Sequence, residues 1–108
     1  MRIILISSLY VINANDNDVI EITLADHLHP VFKAHFEGNP LLPAFLQIDI
    51  LAHIVSIDIT EILRSKFMEP IRPLDKIRYT IMRDAERSII KVKVSNEIKP
   101  VSEFTLAY

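Results

Sequence analysis

The sequence predicts an α+β fold in which one long central helix is wrapped by a curved antiparallel sheet. Three observations carry this reading. Residues 44–63 hold no glycine or proline and are apolar around most of a helical circumference. The segments before and after them are β-branched or alternate apolar with polar, the period of a half-buried strand. The turns between those segments are short, which favours antiparallel pairing. Wrapping one helix in one sheet is the simplest way to bury both apolar faces. At 108 residues the chain is expected to form a single domain over 1–108.

Residues 2–12 read as a first strand and residues 18–24, "DVIEITL", as a second, joined by an Asn/Asp turn. Residues 25–42 set histidines and prolines in close order without periodicity, which predicts an irregular loop. Pro43 suits a first helical turn, because its missing N–H would have been unpaired there anyway. The helix expected over 44–63 is about 30 Å long at 1.5 Å per residue. Beyond it, "FMEPIRPLDKI" reads as a proline-punctuated connection with a short strand. "KIRYTIMRD", "SIIKVKVS" and "VSEFTLAY" then read as three strands. The middle one sends Ile90, Val92 and Val94 to one face and Lys91 and Lys93 to the other.

Composition narrows the function. Half of the residues are apolar, a high share that implies apolar surface left for a partner, most simply a second copy of the chain. There is no cysteine, hence no disulfide framework, thiolate metal site or cysteine nucleophile. This fits a reducing compartment, and a cytoplasmic location is expected. The stretch 44–63 contains Gln47, Asp49, His53, Asp58 and Glu61, too many polar groups for stable membrane insertion. The opening "MRIILISSLYVINAN" is too β-branched to read as a cleaved leader. Formal net charge is −2, yet the cations crowd into the C-terminal half. They are not interleaved with aromatics, which argues against a nucleic-acid partner. His27 and His29 form an H-x-H without a third ligand at suitable spacing, so no metal site is expected.

The stretch "AHFEGNPLLPAF", residues 34–45, holds the chain's one glycine, Gly38, just before the expected helix. Within the helix, Asp49, His53, Ser56 and Thr60 follow at i, i+4, i+7 and i+11 and so share one face of an apolar rod. Burial raises a carboxyl pKa, whereas a helix N-terminus favours the charged form; the two influences oppose each other at Asp49. Backbone N–H groups of about Ala44 to Leu46 point into the loop that carries His35. Such groups stabilise a developing oxyanion. A histidine base, a carboxylic acid and an oxyanion hole suit proton abstraction beside a carbonyl, with expulsion of a β-leaving group. Gly38 permits an unusual backbone conformation or a close ligand approach.

"HFEGNPLLPAFLQID", residues 35–49, resembles the signature of the 3-hydroxyacyl-acyl-carrier-protein dehydratases of bacterial fatty acid synthesis, H-F-P-G-x-P-x-M-P-G. Those enzymes have a hot-dog fold. "EPIRPLDKI" is similar to their segment after the helix and "VSEFTL" to their last strand, so the likeness spans about residues 17–108. It implies a homodimer or a higher even oligomer with sites at the subunit interface, where His35 of one copy faces Asp49 of the other. His35 would take the C2 proton of a 3-hydroxyacyl thioester, and Asp49 would help the hydroxyl leave as water. The N–H groups of Ala44 and Gly38 would hold the thioester oxygen, and Phe36 and Phe45 would line the substrate channel. No cofactor or metal is implied, because the phosphopantetheine of an acyl carrier protein delivers the substrate. Arg64, Lys66, Arg72, Lys76 and Arg78 become docking residues for that acidic carrier.

The chain departs from the family pattern at Glu37 (usually proline), Ala44 (usually glycine), Phe45 (usually smaller) and His53 (commonly glutamine). An Asp at position 49 resembles the branch that also isomerises the double bond, and some specialised dehydratases. A member serving a secondary pathway such as polyene lipid or pigment synthesis fits these departures. Two other functions use the same fold: a thioesterase in which Asp49 or Glu37 activates water, and a non-catalytic subunit that binds acyl chains or a partner. His53 is expected to be a hydrogen-bonded core histidine, with Phe32 in the core.

Overall fold

The computed structural model describes residues 6–34, 38 and 40–108. Among the described residues six strands form one sheet: β1 (Tyr10–Asn15), β2 (Val19–Leu24), β3 (Glu61–Phe67), β4 (Lys76–Asp84), β5 (Ile89–Ser95) and β6 (Pro100–Ala107). Their spatial order is β1-β2-β4-β5-β6-β3, and every neighbouring pair is antiparallel. Two helices lie between β2 and β3: a short α1 (Pro30–Ala34) and the longer α2 (Ala44–Val55). The α+β reading holds, with a single principal helix covering one face of an antiparallel sheet.

Alternation places the core. In β4, Ile77, Tyr79 and Ile81 are buried between exposed neighbours, and β5 repeats this with Ile90, Val92 and Val94. Ile20, Ile22 and Leu24 of β2 and Phe104 and Leu106 of β6 join them. Against this layer α2 buries Leu46, Gln47, Ile48, Ile50 and Leu51. Gln47 is polar and wholly enclosed, so its groups need partners. Ser102 Oγ donates to its side-chain oxygen at 2.5 Å, and Tyr79 Oη donates to its backbone carbonyl at 2.8 Å. The two bonds fix the helix on the strands beneath it. Phe32 lies in the core as expected.

Several elements differ from the sequence expectation, each for a local reason. The first strand begins at Tyr10. Ile6 and Ser7 are helical and Ser8 and Leu9 turn, with the Leu9 N–H on the Ile6 carbonyl at 3.1 Å, and the Ile6 and Leu9 side chains go into the core. The stretch 25–42 is not wholly irregular: Pro30 opens α1, where its fixed φ suits a first helical position. The largest correction concerns the central helix. It ends at Val55, because Ser56 adopts the left-handed conformation (φ 56°) and closes the last turn. The Ile57 N–H then returns to the Ala52 carbonyl at 3.2 Å. Residues from Glu61 onward are taken by β3, so Thr60 is not on the helix face. A run without glycine or proline does not make a helix by itself. Here Ile57, Ile59 and Ile62 are β-branched and suit extended chain better. The short strand expected within 67–77 is therefore absent, replaced by β3 just upstream.

β1 and β3 are the sheet's edges. Every residue of β3 is exposed, among them Ile62 at 50% and Leu63 at 44%. An unpaired edge with apolar side chains is a template for another strand. No helix among the described residues is long and apolar enough to cross a membrane.

Candidate functional site

The first turn of α2 is uncapped by any side chain: Pro43 stands at the N-cap position and has no side-chain acceptor for the helix N–H groups. The Leu46 N–H is already used by the Pro43 carbonyl at 3.0 Å, so of the three expected donors it is not available. The N–H groups of Ala44 and Phe45 have no hydrogen-bond partner among the described residues. They carry the positive end of the helix dipole. Before them, Gly38 has φ +79°, and a Cβ built there would meet nothing within 4 Å. The glycine is therefore explained by backbone conformation and not by crowding. His35, Phe36 and Glu37 lie outside the described residues.

Asp49 sits just over one turn into the helix, half-buried, and lines a cleft of about 600 Å³. Ile6, His53, Ser56, Asp58 and Ile59 line the same cleft. The polar face predicted for the helix thus exists as far as Ser56. Ala44 lines a separate cavity of about 240 Å³ with Gln47, Met68 and Glu69. Within one chain, then, the carboxyl group and the helix-start residue open onto different cavities. Phe45 is 54% exposed, so in the single chain it is neither core nor an enclosed wall.

His53 is exposed, contrary to the expectation of a core histidine. Its position one turn from the helix end brings it to the edge strand β1. There the Tyr10 hydroxyl meets its Nδ1 at 2.6 Å, and the two rings pack edge to face with centroids 6.1 Å apart. With the imidazole neutral, the phenol donates to Nδ1 and the proton resides on Nε2. Partial burial raises the Tyr10 pKa, which keeps the phenol a donor. Tyr10 and Asp58 were not legible as site residues. Tyr10 is 43 positions from His53 in sequence, and Asp58 reaches the cleft only because the helix stops early.

Of the H-x-H pair, His29 serves structure. His29 is buried; its Nε2 meets Ser8 Oγ at 2.9 Å, and its Nδ1 accepts the Val31 N–H at 3.1 Å. His27 is exposed. No group of three metal-ligating side chains occurs among the described residues. The five cations expected to dock a carrier do not act alike. Arg78 is bound to Glu21 at 3.0 Å, whereas Asp75 accepts only the backbone N–H of Arg72, at 2.8 Å, in a turn. Arg64 and Lys66 stand on β3.

One principal helix laid on a six-stranded antiparallel sheet is the hot-dog fold, and here an acidic residue on that helix faces a cleft. Solved structures agree. The ApeI:P dehydratase heterocomplex from Xenorhabdus doucetiae superposes with a TM-score of 0.77 at 20% identity, over 91% of this chain and 96% of that one. An uncharacterised protein from Erwinia carotovora subsp. atroseptica gives 0.68 at 21% identity, over 92% and 93%. A hypothetical thioesterase from Streptococcus pneumoniae gives 0.54 at 15% identity, over 90% and 86%. No curated protein matches the sequence. The family model of ApeI-like dehydratases matches residues 12–105. The chain belongs to the ApeI-like dehydratase family.

Proposed function

We infer that this protein removes water from 3-hydroxyacyl thioesters carried on an acyl carrier protein, giving trans-2-enoyl thioesters, as a homodimer without a resident cofactor. The observation that carries the reading is the placement of Asp49: a half-buried carboxyl group on the principal helix of an ApeI-like chain, open to a cleft large enough for an acyl group. Membership of the family supports dehydration. Asp49 protonates the departing 3-hydroxyl, and His35 of the other copy removes the C2 proton. The uncapped amides of Ala44 and Phe45 face the thioester oxygen and stabilise the enolate that forms between the two steps.

Two features favour a site completed by a second copy. The Asp49 cleft is open, and β3 is an exposed apolar edge suited to pairing with another strand. The Xenorhabdus neighbour is a heterocomplex, so a different chain, taken here as a second hot-dog protein, is the other partner the test must distinguish. The deciding experiment is mass spectrometry of the purified protein with 3-hydroxyacyl thioesters of several lengths on a carrier protein. Dehydration with the thioester intact supports the reading. Release of free thiol identifies a thioesterase. No turnover alone, but turnover with a second hot-dog chain, identifies one half of a heterocomplex.

A further inference from the structure

On the outer face of the sheet, away from the helix, strand register gathers four cations. Side chains alternate along a strand, so an unbroken β3 would send Ile62, Arg64 and Lys66 to one side. The ladder to β6 slips between Ile62 and Arg64, with Leu63 as the extra residue. Ile62 consequently stays opposite the buried Leu106, whereas Arg64 falls opposite Thr105 and Lys66 opposite Glu103. From the other side, β5 sets Lys91 opposite Thr105 and Lys93 opposite Glu103. Two cross-strand rows result, Arg64–Thr105–Lys91 and Lys66–Glu103–Lys93. Four positive charges against one negative leave +3 there, in a chain whose formal net charge is −2.

Four other cations are neutralised. Arg78, Arg83, Arg87 and Lys99 each lie 2.8–3.7 Å from a carboxylate. Arg64, Lys66, Lys91 and Lys93 make no ion pair among the described residues, although Glu103 stands between two of them. Arg64 and Lys66, like Lys91 and Lys93, stand two residues apart on one face of their strand, and Glu103 is the single carboxylate between the two pairs. An anion held between them relieves the remaining repulsion. A notch of about 160 Å³ opens at this place, lined by Arg64, Lys91, Lys93, Glu103 and Thr105 over the backbone of Val92 and Phe104. Since a water occupies about 30 Å³ in the liquid, this space holds one tetrahedral oxyanion with its nearest waters. A guanidinium fork, two ammonium groups and a hydroxyl approach from different strands, which suits a phosphate. The single carboxylate of Glu103 leaves a surplus large enough to neutralise a dianion.

We propose that the notch on the outer face of β3, β6 and β5 binds a phosphate group. Its source is free phosphate, the 3′-phosphonucleotide end of a coenzyme A molecule, or the headgroup of an acidic phospholipid. The site is separate from the Asp49 cleft and stands whether or not the chain is a dehydratase. The experiment is a titration of the full chain at low ionic strength, followed through backbone amide NMR shifts. Three probes are used: inorganic phosphate, coenzyme A, and vesicles of phosphatidylcholine with and without phosphatidic acid. Saturable shifts at residues 64, 91–93 and 103–105 are expected from at least one. Binding of coenzyme A at least ~10-fold tighter than phosphate assigns a nucleotide source, and response to acidic vesicles alone assigns a lipid. The double variant Arg64→Gln with Lys93→Gln should weaken binding at least ~10-fold, while Arg87→Gln, which removes a paired cation elsewhere, should not. Shifts absent for all three probes, spread over the whole basic surface, or reproduced by chloride at equal ionic strength would overturn the proposal. So would unchanged affinity in the double variant.

Discussion

Replacing Tyr79 by Phe removes one oxygen from the middle of the protein, and its effect is calculable. The side chain is 0% exposed, and its hydroxyl donates to the Gln47 carbonyl at 2.8 Å. By helical geometry that carbonyl also accepts the Leu51 N–H, so removing the phenol leaves no orphaned acceptor. The loss should be about 1 kcal/mol, the usual net value of a buried hydrogen bond. With an unfolding entropy of about 2.1 cal/mol/K per residue, that corresponds to a fall of about 4 °C in melting temperature. The alkaline limb gives a sharper test. Burial pushes the Tyr79 pKa far above its ordinary value of 10.0. The native state therefore holds the proton after the unfolded state has lost it, and stability falls as pH rises past 10. If the buried phenol stays protonated at pH 11, the wild type loses about 1.4 kcal/mol between pH 9 and 11 through this group. Tyr79→Phe should lack that component. Denaturant unfolding at pH 7, 9, 10 and 11 measures both effects. Parallel pH dependence in the two proteins would refute the placement of Tyr79 in a closed core.

Further predictions follow from single residues. His29→Ala removes the bridge between Ser8 and the Val31 amide and should cost about 1–2 kcal/mol in denaturant unfolding, because a buried side chain loses two hydrogen bonds. Gly38→Ala should cost up to about 1 kcal/mol through its positive φ alone, since the added methyl meets no neighbour. Conversely, Ser56→Gly should stabilise by up to about 1 kcal/mol, because the helix stops on a left-handed residue. Leu63→Glu on the β3 edge should shift the assembly toward monomers in light scattering, whereas the same change at exposed Met82, which lies on the inner strand β4, should not.

Much of the fold was readable because it is local. Alternation in "KIRYTIMRD" and "SIIKVKVS" marked β4 and β5 nearly to the residue, and the Asn/Asp turn marked the hairpin of β1 and β2. What could not be read depended on distant contacts. The end of α2 rests on one left-handed serine that carries no sequence signature. β3 became a strand because β6 offers it a ladder, although its residues stand within an apolar run that fits a helix equally well. For the candidate site, the place of Asp49 on a polar face with His53 was legible from helical spacing, while its partnership with His35 rests on the family resemblance. The Tyr10–His53 contact was not, since it exists only once β1 lies beside the helix. The basic notch was equally hidden: the bulge at Leu63 reverses the face on which Arg64 and Lys66 emerge, and no spacing rule foretells a bulge.

The inference that stands under the proposed chemistry is that one copy supplies the imidazole and another the carboxyl group. Mixing inactive variants tests it. His35→Ala and Asp49→Ala should each lower dehydration at least ~100-fold when assayed alone. After joint unfolding and refolding in equal amounts, half of the dimers carry one intact shared site of two, so activity should return to about a quarter of the wild-type level. Recovery near that level is the predicted result; a mixture no more active than its separate components, while wild type refolded in the same way regains full turnover, would contradict it.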